Sequence, residues 1–466
     1  MSSEQVSETR MESPDDTLPE GLLLAWYGDD FTGAAAVMEV LAFAGLPALL
    51  FLAPPDAARL ARYPGLRAVG VASTARAQDP AWMEAHLPGA FAALHALGAP
   101  LLHYKVCSTL DSAPRIGSIG KATEIGADLS GARVVPVLVA APQMRRYQAF
   151  GHLFAGMGAE VFRLDRHPVM ARHPVTPMTE ADVARHIALQ SPRLAPSCLT
   201  LEALAAGARL PAPPEDGRIA LVTLDSMDAG SEAAAGRLIW EARGQAPFVV
   251  GSQGVEYALV GHWQAQGWLA PPAPVPGIGR GGPMVTVSGS VSPTTAEQIG
   301  WSRRNSFACI PFDAARACTG GLEAEVERVA TAALEAIAAG QDPLIHTAEG
   351  PDDPAVTRFR AALATSGLTA AEANRRTGAA LGRALAQVLE RSGARRAVVS
   401  GGDTSGFATA ELGIFALEAL APTIPGAALF RAHADGPADG LELALKGGQM
   451  GSPDYFGWVR DGGGAR

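Results

Sequence analysis

Two carboxylates stand side by side at Asp29 and Asp30, within YGDDFTGA from Tyr27 to Ala34. A carboxylate at a strand end can orient a hydroxyl and take its proton. One acid, or Thr32, would suffice to cap a following helix; two adjacent acids exceed what capping needs. A second chemistry is legible in AVVSGGDTSG, Ala397 to Gly406, where an apolar run ends in Gly401 and Gly402, then Asp403 and Thr404. Backbone N–H groups at such a strand-to-helix turn face outward at the positive end of the helix dipole, and phosphate is their usual ligand. Plain turn punctuation would use the same glycines. Two more small-residue loops follow the same logic: VTVSGSVSPTTAEQ (Val285 to Gln298), with Ser288, Gly289 and Ser290, and KGGQMG (Lys446 to Gly451), with Gly447 and Gly448. Three such loops can form a nucleotide pocket through backbone contacts alone.

Basic residues collect at other predicted strand ends. STAR contributes Arg76. HYKVCSTLDSAPRIGSIGKATE, from His103 to Glu124, contributes Lys105, with Ser108 and Thr109 beside it. APQMRRYQAFG, from Ala141 to Gly151, contributes Arg145. Solvated charge explains any one of these; several in one half of the chain suggest a pocket for an acidic small molecule. Other motifs fail on context. GIGRGG, Gly277 to Gly282, matches a dinucleotide fingerprint but precedes a strand instead of following one. No GxxxxGK[ST], HExxH or GxSxG occurs. His167 and His173 share a loop without a metal-spaced third ligand, and are expected to be structural or solvated.

The elements that must position these groups alternate between strand-like and helical patterns. Strands are predicted at Leu22 to Tyr27, Pro47 to Leu52, Ala68 to Ala72, Leu101 to Val106, Val134 to Ala140, Ile219 to Leu224 and Phe248 to Gly251. Later strands are predicted at Met284 to Val287, Pro343 to His346 and Ala397 to Ser400. Helices are predicted at Ala34 to Gly45 and Phe407 to Leu420. This rhythm predicts an α/β protein with mainly parallel sheets covered on both faces. Residues 269–283, LAPPAPVPGIGRGGP, are too rich in proline and glycine for a helix or inner strand, and read as an interdomain linker. The expected plan is a disordered tail over 1–20, one α/β domain over 21–268, the linker, and a second α/β domain over 284–466. Residues 192–214 are a poorly patterned excursion within the first.

The composition narrows the class. The 466 residues are 48% hydrophobic and carry a net charge of −10. A nucleic-acid partner would call for a basic excess. No apolar run has the length of a membrane span, and the polar, acidic start is unlike a signal peptide. Four scattered cysteines fit free thiols in a reducing cytoplasm better than a disulfide framework. A homo-oligomer is compatible with all of this.

Taken in order from about Leu22 to Trp458, these motifs resemble the four-carbon acid sugar kinase family. The resemblance rests on YGDDFTGA, YKVCST, HPVTPMTEADVARH (His173 to His186), VVGSQGVEYAL, VSGSVSPTTAEQ, SGGDTSG and LALKGGQMG. It implies two three-layer α/β domains, an N-terminal one for an acid sugar and a C-terminal one for ATP, with the active site in the cleft between them. It further implies that Ser288, Gly289, Ser290, Gly401, Gly402, Asp403, Thr404, Gly447 and Gly448 hold ATP. Mg²⁺ would bridge the phosphates with Asp403 as a ligand. Asp29 or Asp30 would act as base; Thr32, Arg76, Lys105, Ser108, Thr109 and Arg145 would bind the acid. Ala36, Cys107 and Asp111 depart from the usual family pattern, and CSTLDS looks like the variant of the 3-oxo-tetronate branch, so substrate choice is expected at those three positions. Two rival readings are a two-domain nucleotide-dependent oxidoreductase and a ligand-binding sensor without turnover.

Overall fold

In the computed structural model, which describes residues 17–466, the apolar runs of the first half become strands bounded by turns. They are β1 (Leu24–Gly28), β2 (Ala48–Phe51), β3 (Ala68–Ala72), β4 (Leu101–Lys105) and β5 (Val134–Leu138). A small antiparallel sheet follows, made of β6 (Arg146–Ala149), β7 (His152–Met157) and β8 (Glu160–Arg163). The main sheet then resumes with β9 (Leu194–Leu199), β10 (Ile219–Leu224) and β11 (Phe248–Gly251). The second half supplies β12 (Met284–Ser288), β13 (Phe307–Pro311), β14 (Asp342–His346), β15 (Arg396–Ser400), β16 (Ile414–Ala421), β17 (Leu429–Ala434) and β18 (Glu442–Lys446). Of the expected tail, residues 1–16 lie outside the described residues, and its end is fastened: Arg67 donates to the carbonyls of Pro19 and Gly21.

The first lobe orders its strands β2-β3-β1-β4-β11-β5-β10-β9, all parallel. Chain order reverses at β1, which lies between β3 and β4. Ligands in open α/β sheets bind at such a reversal, beyond the carboxyl ends of the strands. The second lobe has the same device: β12 lies between β14 and β15, and β18 follows β15. Burial on both faces explains why these strands read as continuous apolar runs. In β1, Leu24 and Trp26 enter the core on one face while Ala25 and Tyr27 enter that on the other. Gly70 lies where any Cβ would overlap the Trp26 indole.

Three local expectations differ from the structure. The helix expected over 407–420 is instead Gly402–Glu411. Gly413 turns the chain at φ 63°, and Ile414–Ala421 is β16. Alanine, leucine and glutamate favour helix locally, but β16 pairs with β17 on one side and β2 on the other, and that tertiary pairing wins. The 192–214 excursion contains β9, whose Pro196 is tolerated because the strand lies at the sheet edge. The two expected sheets are one. Antiparallel pairing of Ala416 with Phe51 and Leu417 with Leu50 fuses both lobes into a 15-stranded sheet. Residues 270–281 carry no regular secondary structure. Among the described residues no helix is long and apolar enough to cross a membrane.

Glu39 ties the lobes a second time. It lies on helix Phe31–Phe43, and its buried carboxylate accepts the backbone N–H groups of Gly426 (2.9 Å) and Ala428 (3.0 Å) from the second lobe. Burial pushes its pKa up to about 7, and the two N–H bonds offset only part of that. Its folded pKa therefore lies above its unfolded value. Its contribution to stability is complete below about pH 4.5 and is lost as pH rises through about 7. Denaturant unfolding at pH 5.5 and 8 should show wild type losing about 2 kcal/mol more than Glu39→Gln over that interval. Equal losses would contradict the assignment.

Candidate active site

Because β3, β1 and β4 are neighbours, their carboxyl ends deliver three short segments to one place. Asp29 follows β1, and its backbone N–H donates to the carbonyl of Lys105 at the end of β4 (2.9 Å). Arg76, on the turn after β3, donates its backbone N–H to the Asp29 carbonyl and its guanidinium to both acids. Its Nη2 lies 2.6 Å from Asp29 Oδ1 and 2.8 Å from Asp30 Oδ1; its Nη1 lies 2.7 Å from Asp30 Oδ2. Asp29 is buried, at 1% exposure, whereas 29% of the Asp30 side chain is exposed. Burial pushes the Asp29 carboxyl above the usual range; Arg76 and, more weakly, Lys105 pull it back only in part. Asp30 also caps helix Phe31–Phe43 by accepting the Gly33 N–H (2.8 Å). One acid of the pair thus does the capping that the spacing allowed.

The phosphate-type loops converge for the same topological reason. β12, β15 and β18 are adjacent, so the turns after them interlock. Gly289 N–H donates to Ser400 O (3.0 Å) and Gly401 N–H to Lys446 O (2.9 Å). Ser292 and Thr295 hydroxyls both donate to Gly448 O (2.6 and 2.8 Å). A Cβ on Gly289 would overlap the Thr404 hydroxyl, and one on Gly448 the Ser290 hydroxyl. Gly401, at φ 122°, precedes helix Gly402–Glu411 with no side-chain cap, so the first turn keeps its N–H groups for a ligand. A cavity of about 500 Å³ opens on these loops, lined by Ser290, Gly401, Asp403, Thr404 and Gly448, with Val356, Phe359 and Leu363 as an apolar wall. A flat base against the apolar wall and phosphates at the glycines fit this space.

A second cavity, of about 590 Å³, joins the lobes. Asp29, Asp30, Thr32 and Arg76 line it on one side, and Gly402, Asp403, Lys446 and Gly447 on the other. Its first-lobe wall also carries Asp111, His173 and Thr176. The Thr176 hydroxyl donates to Asp111, and the Thr176 N–H donates to His173 Nδ1 (3.1 Å). His173, expected to be structural or solvated, thus faces the cleft. Lys446 is a cleft residue to which the sequence motifs assigned no role. It sits at the end of β18, buried at 2% exposure, and donates to the carbonyls of Gly447 (3.1 Å) and Gly448 (3.5 Å). The signal was available: KGGQMG places a lysine directly ahead of the glycine turn.

Other expected residues stand elsewhere. Arg145, at φ 56°, donates its guanidinium to the carbonyls of Gly158 and Glu160 in the small β6–β8 sheet, and is not among the cleft-lining residues. Lys105 is buried, with Nζ donating to Val106 O (2.6 Å) beneath Gly33. Arg76 makes four hydrogen bonds to the two aspartates. Of the three, Arg76 alone lines the cleft, and its charge is paired with the two acids. Ser108 and Thr109 lie on the loop after β4, outside the cavity lining, where Thr109 Oγ1 contacts Cys107 Sγ at 3.1 Å. Ser288 is fully buried at the end of β12 beneath the loop. Of the three departures from the family pattern, Asp111 lines the cleft. Ala36 instead lines a different cavity, of about 900 Å³, beside Glu39, Tyr257 and Pro272.

Comparison with known proteins matches this division of labour. A family described as the sugar-binding N-terminal domain matches residues 24–259, and one described as the nucleotide-binding C-terminal domain matches residues 285–456. The chain is 45% identical over 450 residues to a 3-oxo-isoapionate kinase of Paraburkholderia graminis, covering 95% of each protein. It is 31% identical over 451 residues to a 3-oxo-tetronate kinase of Cupriavidus necator, covering 94% of this chain and 97% of that one. A crystal structure of a Salmonella typhimurium LT2 protein, 24% identical, has the same fold, with a TM-score of 0.71 over 94% of this chain and 98% of the other. With its sugar-binding half, its nucleotide-binding half and these relatives, the chain belongs to the four-carbon acid sugar kinase family.

Proposed function

We propose that this ATP-dependent sugar-acid kinase acts on a 3-oxo acid sugar of the isoapionate type, with residues 21–268 holding the acid and residues 284–466 the nucleotide. The observation that carries the reading is the single cleft of about 590 Å³ in which the Asp29–Asp30–Arg76 cluster faces the Gly402–Asp403 helix start. Support for the substrate comes from the 45% identity to the 3-oxo-isoapionate kinase, against 31% to the 3-oxo-tetronate kinases. Neither rival reading fits the family: its named relatives are kinases, and GIGRGG lies in the irregular 270–281 stretch and its continuation, ahead of β12.

Phosphoryl transfer needs positioning and charge neutralisation more than covalent help. Asp30, the more exposed acid, orients the substrate hydroxyl and accepts its proton. Asp29 and Arg76 hold Asp30 in place. The first-turn N–H groups of helix Gly402–Glu411 and the hydroxyls of Ser290 and Thr404 take the phosphates. Asp403, which lines both the nucleotide cavity and the cleft, would hold a Mg²⁺ ion, and that ion would supply charge neutralisation to the phosphates. Among the described residues no group of three or more His, Cys, Asp or Glu could cage a metal, which fits an ion that arrives on the nucleotide.

An ADP-release assay with Mg²⁺–ATP over 3-oxo-isoapionate, a 3-oxo-tetronate, threonate and erythronate should give the highest kcat/KM with the first. A higher value with a tetronate would contradict the substrate assignment, and no ADP with any acid would contradict the kinase reading. Asp30→Asn should lower kcat by about 100-fold or more while leaving the KM for ATP within about threefold; near-wild-type turnover in Asp30→Asn would overturn the role. Gly448→Ala forces a methyl onto the Ser290 hydroxyl, and should weaken ADP binding by about tenfold or more in calorimetry without changing binding of the acid. Unchanged ADP affinity would move the nucleotide away from these loops.

A further inference from the structure

Three basic residues line the cleft between the lobes: Arg76, His173 and Lys446. Arg76 is committed to Asp29 and Asp30, and His173 is held against Asp111 and Thr176. Among the described residues Lys446 makes no ion pair. Its ammonium is buried with two backbone carbonyls as acceptors, and Nζ lies 5.9 and 5.7 Å from the ring centres of Tyr455 and Phe456. Burial alone pushes its pKa down to about 8. A cation taken out of water without a counter-ion is costly. A site with that cost, opening onto a cleft where a phosphate is expected, is suited to an anion that arrives with the ligand.

We propose that Lys446 is a catalytic residue that contacts the phosphoryl group in transit and neutralises charge on its non-bridging oxygens. The proposal rests on the reading of this cleft as the place where ATP and the acid sugar meet. In the step, the substrate hydroxyl oxygen forms a bond to the γ-phosphorus as the bond to the β–γ bridging oxygen breaks. ADP leaves with that electron pair, and the hydroxyl proton passes to Asp30. Lys446 keeps its three protons throughout and supplies charge only. Its position suits this role, because it precedes the Gly447–Gly448 turn, lies one strand from the Gly401 loop, and faces the acids across the cavity. Lys105 is not among the residues that line this cavity; its Nζ lies beneath Gly33 and donates to Val106 O.

The test uses Lys446→Met, of similar length without the charge, and Lys446→Arg, which keeps the charge. Calorimetry with ADP and with the non-hydrolysable triphosphate AMP-PNP, both with Mg²⁺, reads the contact independently of turnover. Lys446→Met should bind ADP within about threefold of wild type, lose about tenfold or more in AMP-PNP affinity, and lower kcat by about 100-fold. Lys446→Arg should recover part of both losses. Equal weakening of ADP and AMP-PNP would assign Lys446 to holding the turn and overturn the proposal, as would unchanged kcat. Failure of the underlying reading is separable, because it appears in the wild type as no ADP release with any sugar acid.

Discussion

Two carboxylates on adjacent residues at the end of a buried strand repel one another, and Arg76 resolves that conflict by donating to both with one planar fork. The pairing is possible only because β3 lies beside β1, which puts the Arg76 turn within reach of the acids. Arg76 leaves the two acids unequal. Asp29 is sealed in and turned toward the guanidinium; Asp30 keeps an exposed face and starts the next helix. A single guanidinium thus holds one acid buried and leaves the other open to the cleft, which is the asymmetry the proposed function uses. It also explains why a residue that looks like a carboxylate binder in the sequence is already spent.

The second lobe answers with backbone instead of charge. Cβ atoms at Gly289 and Gly448 would collide with the Thr404 and Ser290 hydroxyls, and Gly401 packs tightly on Thr404 at φ 122°, so three turns close into one cradle. Lys446 adds an unpaired ammonium to that wall. The two half-sites are held in register by the continuous sheet, through β2 and β16, and by Glu39 on the helix that Asp30 caps. Gly426 belongs to the same joint: a Cβ there would press on Thr32, itself a cleft residue. Two of the contacts that join the lobes, at Thr32 and Glu39, therefore sit on the helix that starts at the acids, so lobe position and acid geometry share that element.

Much of this was legible in the residues. Strand ends announced themselves because buried parallel strands are continuous apolar runs that stop at polar or glycine-rich turns, as at Gly28–Asp29 and Ser400–Gly401. The β16 strand was not legible, since IFALEALA has helical composition and becomes a strand only by pairing on both sides. The same pairing hid the fusion of two expected sheets into one. Type and spacing could not tell that Arg145 and Lys105 would stand off the cleft wall while Lys446 lines it. His173 and Lys446 carried weak local signals, a loop histidine and a lysine before glycines, and gain meaning from the wall they line.

The central claim is that both half-sites serve one reaction in the cleft of about 590 Å³ between Asp30 and Asp403. A crystal structure of the enzyme with Mg²⁺–ADP, aluminium fluoride and the acid sugar tests it most directly. The predicted result is the fluoride held between Lys446 and the start of helix Gly402–Glu411, with a substrate hydroxyl hydrogen-bonded to Asp30 and in line with it. An acid bound away from Asp30, or a nucleotide seated in the larger cavity beside Glu39 and Tyr257, would contradict it.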